Sequence, residues 1–311
     1  MAKQPPVKAW LILGASLLAV SSAGAVFEMM QGPGPLLKAS WRLQATALVL
    51  VPGFIIQWNK ADLELKQRFK KKENLLIMAL SGIFLTLHFG SWVWSLDETT
   101  LTHSLLFVTT HPLVIIVGLW LLGKGANRRE VMGAIIGFTG AAIAILDAGV
   151  DDDVSLFGDL LAFIGAVTVV GYLIAGRVLR KWMPLFLYAF PVTLICAIGL
   201  SIWAWIVEGA SPSFVNGGLF GWAMLAWLPY VAYLAIGPGL VGHTGINGVL
   251  KWMPPLVISV ALVMEPLIGS VIGWALGQDS LPGFYTWLGG PLMICGALLV
   301  TLEMAKGDEE E

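Results

Sequence analysis

Charge is what this sequence has least of. Asp, Glu, Lys and Arg make up 12% of its 311 residues, about half the fraction of an ordinary soluble domain. That is too little to keep a large folded surface wet. The shortage excludes a disordered chain and an ordinary soluble globule. Cysteine is scarce too. Cys196 and Cys295 both lie in apolar runs, where two embedded thiols are the commoner reading and no metal motif is formed. The usual catalytic signatures are missing. There is no GxxxxGK[ST] loop to cradle a nucleotide, so direct ATP drive is not expected. There is no HExxH, no GxSxG elbow and no CxxC pair, and the four histidines are scattered. No enzyme activity, cofactor or metal is expected. The short alternating segments of a β-barrel are absent as well.

Apolar length fills the sequence instead. The apolar fraction is 57% and the mean hydropathy +0.82, against roughly 45–50% apolar for a soluble domain. A spanning helix needs about 20 such residues. Ten runs qualify: 9–27, 36–56, 75–95, 103–122, 130–146, 156–176, 185–207, 219–236, 248–276 and 284–302. The expectation is an all-α polytopic membrane protein with ten transmembrane helices in a lipid bilayer. Breakers separate the runs, among them Gly32-Pro33-Gly34-Pro35, Asp151-Asp152-Asp153, Gly237-Pro238-Gly239 and Leu281-Pro282-Gly283. The ninth run is long enough to bend, and Pro266 offers the bend.

Lys and Arg orient the bundle. With the N-terminus inside, 16 of the 18 basic residues fall on inner segments, and only Lys38 and Arg42 lie toward the outer side, as the positive-inside bias requires. Both termini are then cytoplasmic, and a plasma membrane is the default location (the cell inner membrane if the source is bacterial). The first run is expected to be retained, although Ala19-Val20-Ser21 imitates a signal-peptidase site. A net charge of -2 is silent about nucleic acid; with the basic residues assigned to inner loops, no nucleic-acid partner is expected.

Ten spans divide into five plus five: a first repeat over 1–148, a second over 149–304 and a short acidic tail over 305–311. A repeat with an odd number of spans must be inverted. A short echo accompanies this division: His111-Pro112-Leu113-Val114-Ile115 against Pro254-Pro255-Leu256-Val257-Ile258. Inverted halves that rock against each other give alternating access, though a duplicated scaffold would carry the same echo.

The stretch Leu250-Lys251-Trp252-Met253-Pro254-Pro255-Leu256-Val257-Ile258-Ser259 leads to Glu265-Pro266-Leu267-Ile268-Gly269, then to Gly273-Trp274-Ala275-Leu276-Gly277 and Trp287-Leu288-Gly289-Gly290. In these features, and in its layout, the sequence resembles the EamA-type members of the drug/metabolite transporter superfamily. Pro35, Arg42 and Pro112 sit where that family commonly has such residues. Leu122-Gly123-Lys124 stands where it often has a Glu, so the first half lacks an acidic counterpart. The resemblance implies secondary transport or facilitated passage of a small organic metabolite, often export. It leaves the cargo open.

The candidate site residues are polar interruptions of the apolar runs. His88 and Trp92 are four apart, on one helix face, with Ser91 nearby; they line a cavity or pack as a hydrogen-bonded histidine between helices. Thr109 and His111 precede or adjoin Pro112, which removes a backbone donor and lets the threonines back-bond. Tyr172 and Tyr233 supply hydroxyls on rigid rings. Glu265, immediately before Pro266, either supports a helix bend, gates or couples protons, or touches substrate. Arg42 either snorkels to outer headgroups, pairs with Glu28 or Glu265, or binds an anionic group on the substrate. Glu28 is solvated or a rim partner. His243 and Asn247 are expected in the inner turn before the ninth span. Gly133 and Gly137, and Gly269, Gly273 and Gly277, repeat at four-residue spacing and favour close helix packing.

These readings converge on a secondary transporter for a small organic metabolite, an amino acid or related solute, by alternating access and in the export direction. Protons are a candidate coupling ion; a facilitative mode and the oligomeric state stay open. The rival is a non-transporting membrane scaffold, sensor or lipid-handling protein.

Overall fold

The computed structural model describes residues 5–121, 123, 127–149, 153–253, 258, 261–279 and 281–310. Lys3, Leu122, Lys124, Asp151, Asp152 and the segment 254–257 lie outside the described residues. Among those described, all regular structure is helical. Seven helical stretches among the described residues are long and apolar enough to cross a membrane, and Phe284–Val300 is a shorter apolar helix.

The chain enters through α1 (Val7–Ser21) and α2 (Ala23–Glu28), interrupted at Ser22. The long helix α3 (Pro35–Lys60) starts on Pro35, where a missing N–H is harmless. A short amphipathic α4 (Leu63–Phe69) leads to α5 (Lys72–Glu98). The fourth expected span is two helices, α6 (Leu101–Val108) and α7 (His111–Leu121). Their break falls at Thr109 and Thr110, whose hydroxyls donate back to the Leu105 and Phe107 carbonyls at 2.8 and 2.7 Å. The back-bonding read from the sequence is therefore present. Next, α8 (Arg128–Ala144) opens on an Asn127/Glu130 capping box and ends in a 3₁₀ turn, Ile145–Gly149. Then come α9 (Leu156–Arg180), capped by Ser155, and α10 (Leu185–Glu208), closed by Gly209 at φ 67°.

The eighth and ninth expected spans need correction. Residues 219–227 are turns and a single 3₁₀ segment. The helix instead runs on through α11 (Leu228–Leu234), a π-helix (Ala235–Thr244) and α12 (Gly245–Val249). Gly237-Pro238-Gly239 thus lies inside a helical rod. A π-helix accommodates this because its bonds reach one residue further, and Pro238 has no N–H to satisfy. The expected ninth helix is divided as well: its beginning belongs to α12, residues 261–262 are helical, 263–264 form a turn, and α13 (Glu265–Ala275) follows with Pro266 in its first turn. The last helix is α14 (Phe284–Glu310).

Two helices cap each other end to end. Gln57, near the end of α3, accepts from the backbone N–H groups of Phe186 and Leu187 at the start of α10, at 2.8 and 3.3 Å. Glu208, at the end of α10, accepts from those of Leu36 and Leu37 at the start of α3, at 2.7 and 2.9 Å. First-turn N–H groups have no partner within their own helix, so each helix completes the other. A third tie of this kind joins the 3₁₀ turn after α8 to α14: Asp147 accepts from the N–H groups of Tyr285 and Thr286 at 3.2 and 2.6 Å.

Glycine sets how closely α8 and α14 approach. A Cβ on Gly133 would lie 2.9 Å from the Gly296 carbonyl oxygen, and one on Gly140 2.6 Å from that of Gly289. At Gly137 it would meet the Leu113 side chain at 2.5 Å. Gly269 and Gly273 lie against Leu105 and Leu101 of α6. Gly277 does not pack: it turns the chain after α13 at φ 69°, with open space around it. Its spacing matches the stripe, but the helix ends before it. Cys196 and Cys295 are free thiols.

Candidate functional site

A cavity lies where α1, α2, α3, α5, α7, α9, the π-helix and α13 meet. It is lined by Arg42, His88, Trp92, Thr109, His111, Tyr172, His243 and Glu265 among apolar residues, with about 620 Å³ unfilled by protein atoms, its mouth included. Five of the six cavity candidates come together here. Tyr233 does not. The buried face of α11 is Val231 and Leu234, so Tyr233 between them points outward, 47% exposed, with its hydroxyl 2.8 Å from Ser22.

On α5, one turn brings His88 over Trp92, their rings nearly parallel at 10° with centroids 6.3 Å apart. His88 Nδ1 is 2.9 Å from the Gly165 carbonyl. A carbonyl only accepts, so Nδ1 carries a proton and Nε2 is left for other partners. His243 packs its ring on Phe89 at 5.0 Å and stands 6.4 Å from His88. It lies in the π-helix, not in an inner turn. Asn247, also helical and buried, donates to the Tyr172 hydroxyl at 2.5 Å and so orients a wall of the cavity.

Arg42 does not snorkel. It is 1% exposed, and its guanidinium carbon stands 4.5 Å from the centre of the Phe89 ring, 5.7 Å from Phe27 and 6.0 Å from Trp92. Lys38, one turn earlier, is the residue in an ion pair, 2.6 Å from Asp97. Arg42 has none of its own among the described residues, and its Nε and Nη1 lack hydrogen-bond acceptors. Trp92 Nε1 and His111 Nε2 are likewise buried without partners. Each unmade bond of a buried donor or acceptor costs about 1–3 kcal/mol, so a run of them around one cavity is costly to keep empty. Glu265 is the acidic side chain lining this cavity.

Two remaining candidates face elsewhere. Glu28 lines an acidic mouth with Asp97, Glu98, Asp153 and Asp279. Pro266 lines an apolar groove at the side of the bundle, with Leu267, Trp274 and Trp287. No group of three or more His, Cys, Asp or Glu placed to hold a metal occurs among the described residues.

A second buried polar cluster was not singled out from the sequence. His103 Nδ1 lies 3.1 Å from Asp159 and its Nε2 2.6 Å from the Thr286 hydroxyl, which itself donates to Asp147 at 2.6 Å. The cluster ties α6, the 3₁₀ turn, α9 and α14. Its signal in the sequence was three ionisable residues at the edges of apolar runs.

Comparison with known proteins agrees with this architecture. The model of the EamA-like transporter family matches residues 7–146. A solved structure described as "Crystal structure of protein" superposes with a TM-score of 0.62 at 19% identity, over 95% of this chain and 98% of that one. At this identity the likeness speaks for the fold alone. No curated protein matches. Residues 7–146 are thus similar to the EamA-like transporter family, and the apolar helices among the described residues are those of a multi-pass membrane protein.

Proposed function

We propose that the chain is a secondary transporter that carries a small organic metabolite, an amino acid or related solute, by alternating access and in the export direction. One observation carries the reading: a cavity, walled by helices from both ends of the sequence, that is lined by a basic and an acidic side chain, Arg42 and Glu265. The rings of Phe89, Trp92 and His243 around it suit a bulky side chain. Residues 1–148 and 149–304 are the two inverted five-helix repeats of this proposal, with 305–311 as a cytoplasmic tail. The reciprocal capping of α3 and α10 supports it, since antiparallel counterparts related by a pseudo-twofold axis would exchange the same contact. The distribution of Lys and Arg supports cytoplasmic termini in a plasma membrane. Glu265 and His88 are the groups whose protonation could couple solute to a proton gradient.

The experiment is flux. The full chain in proteoliposomes, offered labelled amino acids and related metabolites with and without a pH gradient, should give saturable movement that is lost in W92A. A gradient that leaves accumulation unchanged counts against proton coupling. The lipid-handling reading has the lateral groove at Pro266 and Trp287 in its favour. Movement of labelled lipid with no solute flux would select it.

A further inference from the structure

We propose that Arg42 is the receptor for a carboxylate of the transported solute, with the Trp92 indole N–H as a further donor to the same group. The proposal rests on the transport reading for its context, but its observations are separate.

Arg42 is buried, charged and unpaired, and it faces a cavity. Rings hold it on several sides. Cation–π contacts with Phe89, Phe27 and Trp92 keep the guanidinium in place without consuming its N–H donors. The donors without partners, Nε and Nη1 of Arg42 and Nε1 of Trp92, call for an acceptor. A carboxylate supplies up to four lone-pair sites and one negative charge, and its planar shape suits a guanidinium. A neutral amide or alcohol of equal size would leave the charge unanswered. A phosphate would bring more charge than one arginine balances, beside a cavity wall that also carries Glu265. That same glutamate is placed to meet an ammonium. The class selected is a monocarboxylate, with the α-amino acid zwitterion as the member that satisfies both ends.

The internal alternative is that Arg42 serves only as a partner to Glu265 in another state of the cycle. Binding distinguishes the two. The detergent-purified full chain would be heated with increasing acetate, glycine, benzoate or phenylalanine, each beside its amide, at constant ionic strength. A ligand of the native state raises the unfolding temperature in proportion to its occupancy. At least one carboxylate should bind about tenfold or more tightly than its amide. R42K and R42Q should abolish that preference and leave the response to amides unchanged. Should both variants fail to fold, W92F keeps the ring and removes one donor, and should weaken the carboxylate several-fold with the amide unaffected. E265Q should retain carboxylate binding and lose the advantage of glycine over acetate. The proposal is overturned if no carboxylate of the series outperforms its amide, if the preference survives in R42Q, or if it is undiminished in W92F. Binding without flux in the liposome assay would instead overturn the transport reading and leave the receptor standing.

Discussion

Glu208 and Gly34 make a prediction whose sign reverses with the background. The Glu208 carboxylate takes the Leu36 and Leu37 N–H groups at 2.7 and 2.9 Å. A hydrogen bond to a charged group contributes about 1.5–3 kcal/mol. Glu208 is half-buried and water can replace part of each bond, so E208A should cost about 2–4 kcal/mol in total. A Cβ on Gly34 would sit 2.5 Å from the Glu208 Cδ and 2.6 Å from both oxygens. G34A must therefore displace the carboxylate and forfeit much of the same tie. The backbone itself raises no objection, because Gly34 has φ -64° and ψ 157°, which alanine adopts freely. Once Glu208 is removed, only the unfolded-state effect is left, and Gly→Ala at a compatible site stabilises by about 0.4–1 kcal/mol. G34A should thus destabilise the native protein and mildly stabilise E208A. Unfolding of the four proteins of this cycle in one detergent, by SDS titration, measures the coupling. Equal destabilisation by G34A in both backgrounds would refute the reasoning. Because Arg42 lies less than two turns beyond the capped N–H groups, the same variants should weaken carboxylate binding in step with their instability.

Three further outcomes follow from the packing, the second polar cluster and the topology. At Gly296 a Cβ would meet the Gly133 carbonyl and the Gly137 backbone at 2.5 Å or less, whereas at Gly14 it would meet nothing within 4 Å. G296A should cost about 1–3 kcal/mol or more and G14A should be neutral to stabilising, by the same titration. D159N leaves His103 beside a neutral amide in a site 1% exposed, and breaking a buried pair costs about 3–5 kcal/mol. T286V removes a hydroxyl and spares the Asp147 bonds to backbone N–H, so a loss of about 1–2 kcal/mol is expected; a larger effect of T286V than of D159N would reject this ranking of the two contacts. Single cysteines at Lys66 and at Asp153 should react with an impermeant maleimide from opposite faces of the membrane, and labelling from one face would remove the inverted arrangement.

Much of the helical layout was legible because apolar length is a one-dimensional property. Val7–Glu28, Pro35–Lys60 and Lys72–Glu98 enclose the runs read from the sequence. The misreadings fall where length and local chemistry disagree. Gly237-Pro238-Gly239 reads as a break by every residue-level rule, yet it sits in a π-helix, where the wider ring tolerates the missing donor. That one error moved His243 and Asn247 from the cavity region to a turn, since both were placed by the boundary and not by their own chemistry. Pro266 was read as the place where the ninth span could bend, and a new helix begins there, just after the turn at 263–264. A proline fits a helix's first turn better than its middle, and the structure uses it there.

The site shows a different limit. Helical spacing was enough to put His88 and Trp92 on one face, because that relation is local. Ionisable residues in apolar runs were also visible, but the signal is the same for Arg42, His103 and Asp159. In the folded chain these part ways. Asp159 is answered by His103 and Thr99, and His103 by Asp159 and Thr286, so their cost is met inside the protein and the cluster holds helices together. Arg42 has its rings but no acceptor for Nε or Nη1. A buried charge with every partner supplied by the chain is architecture; one left with open donors beside a cavity specifies the group that must come from outside. The sequence gives the position of each such charge, and only the accounting of partners in three dimensions separates the two kinds.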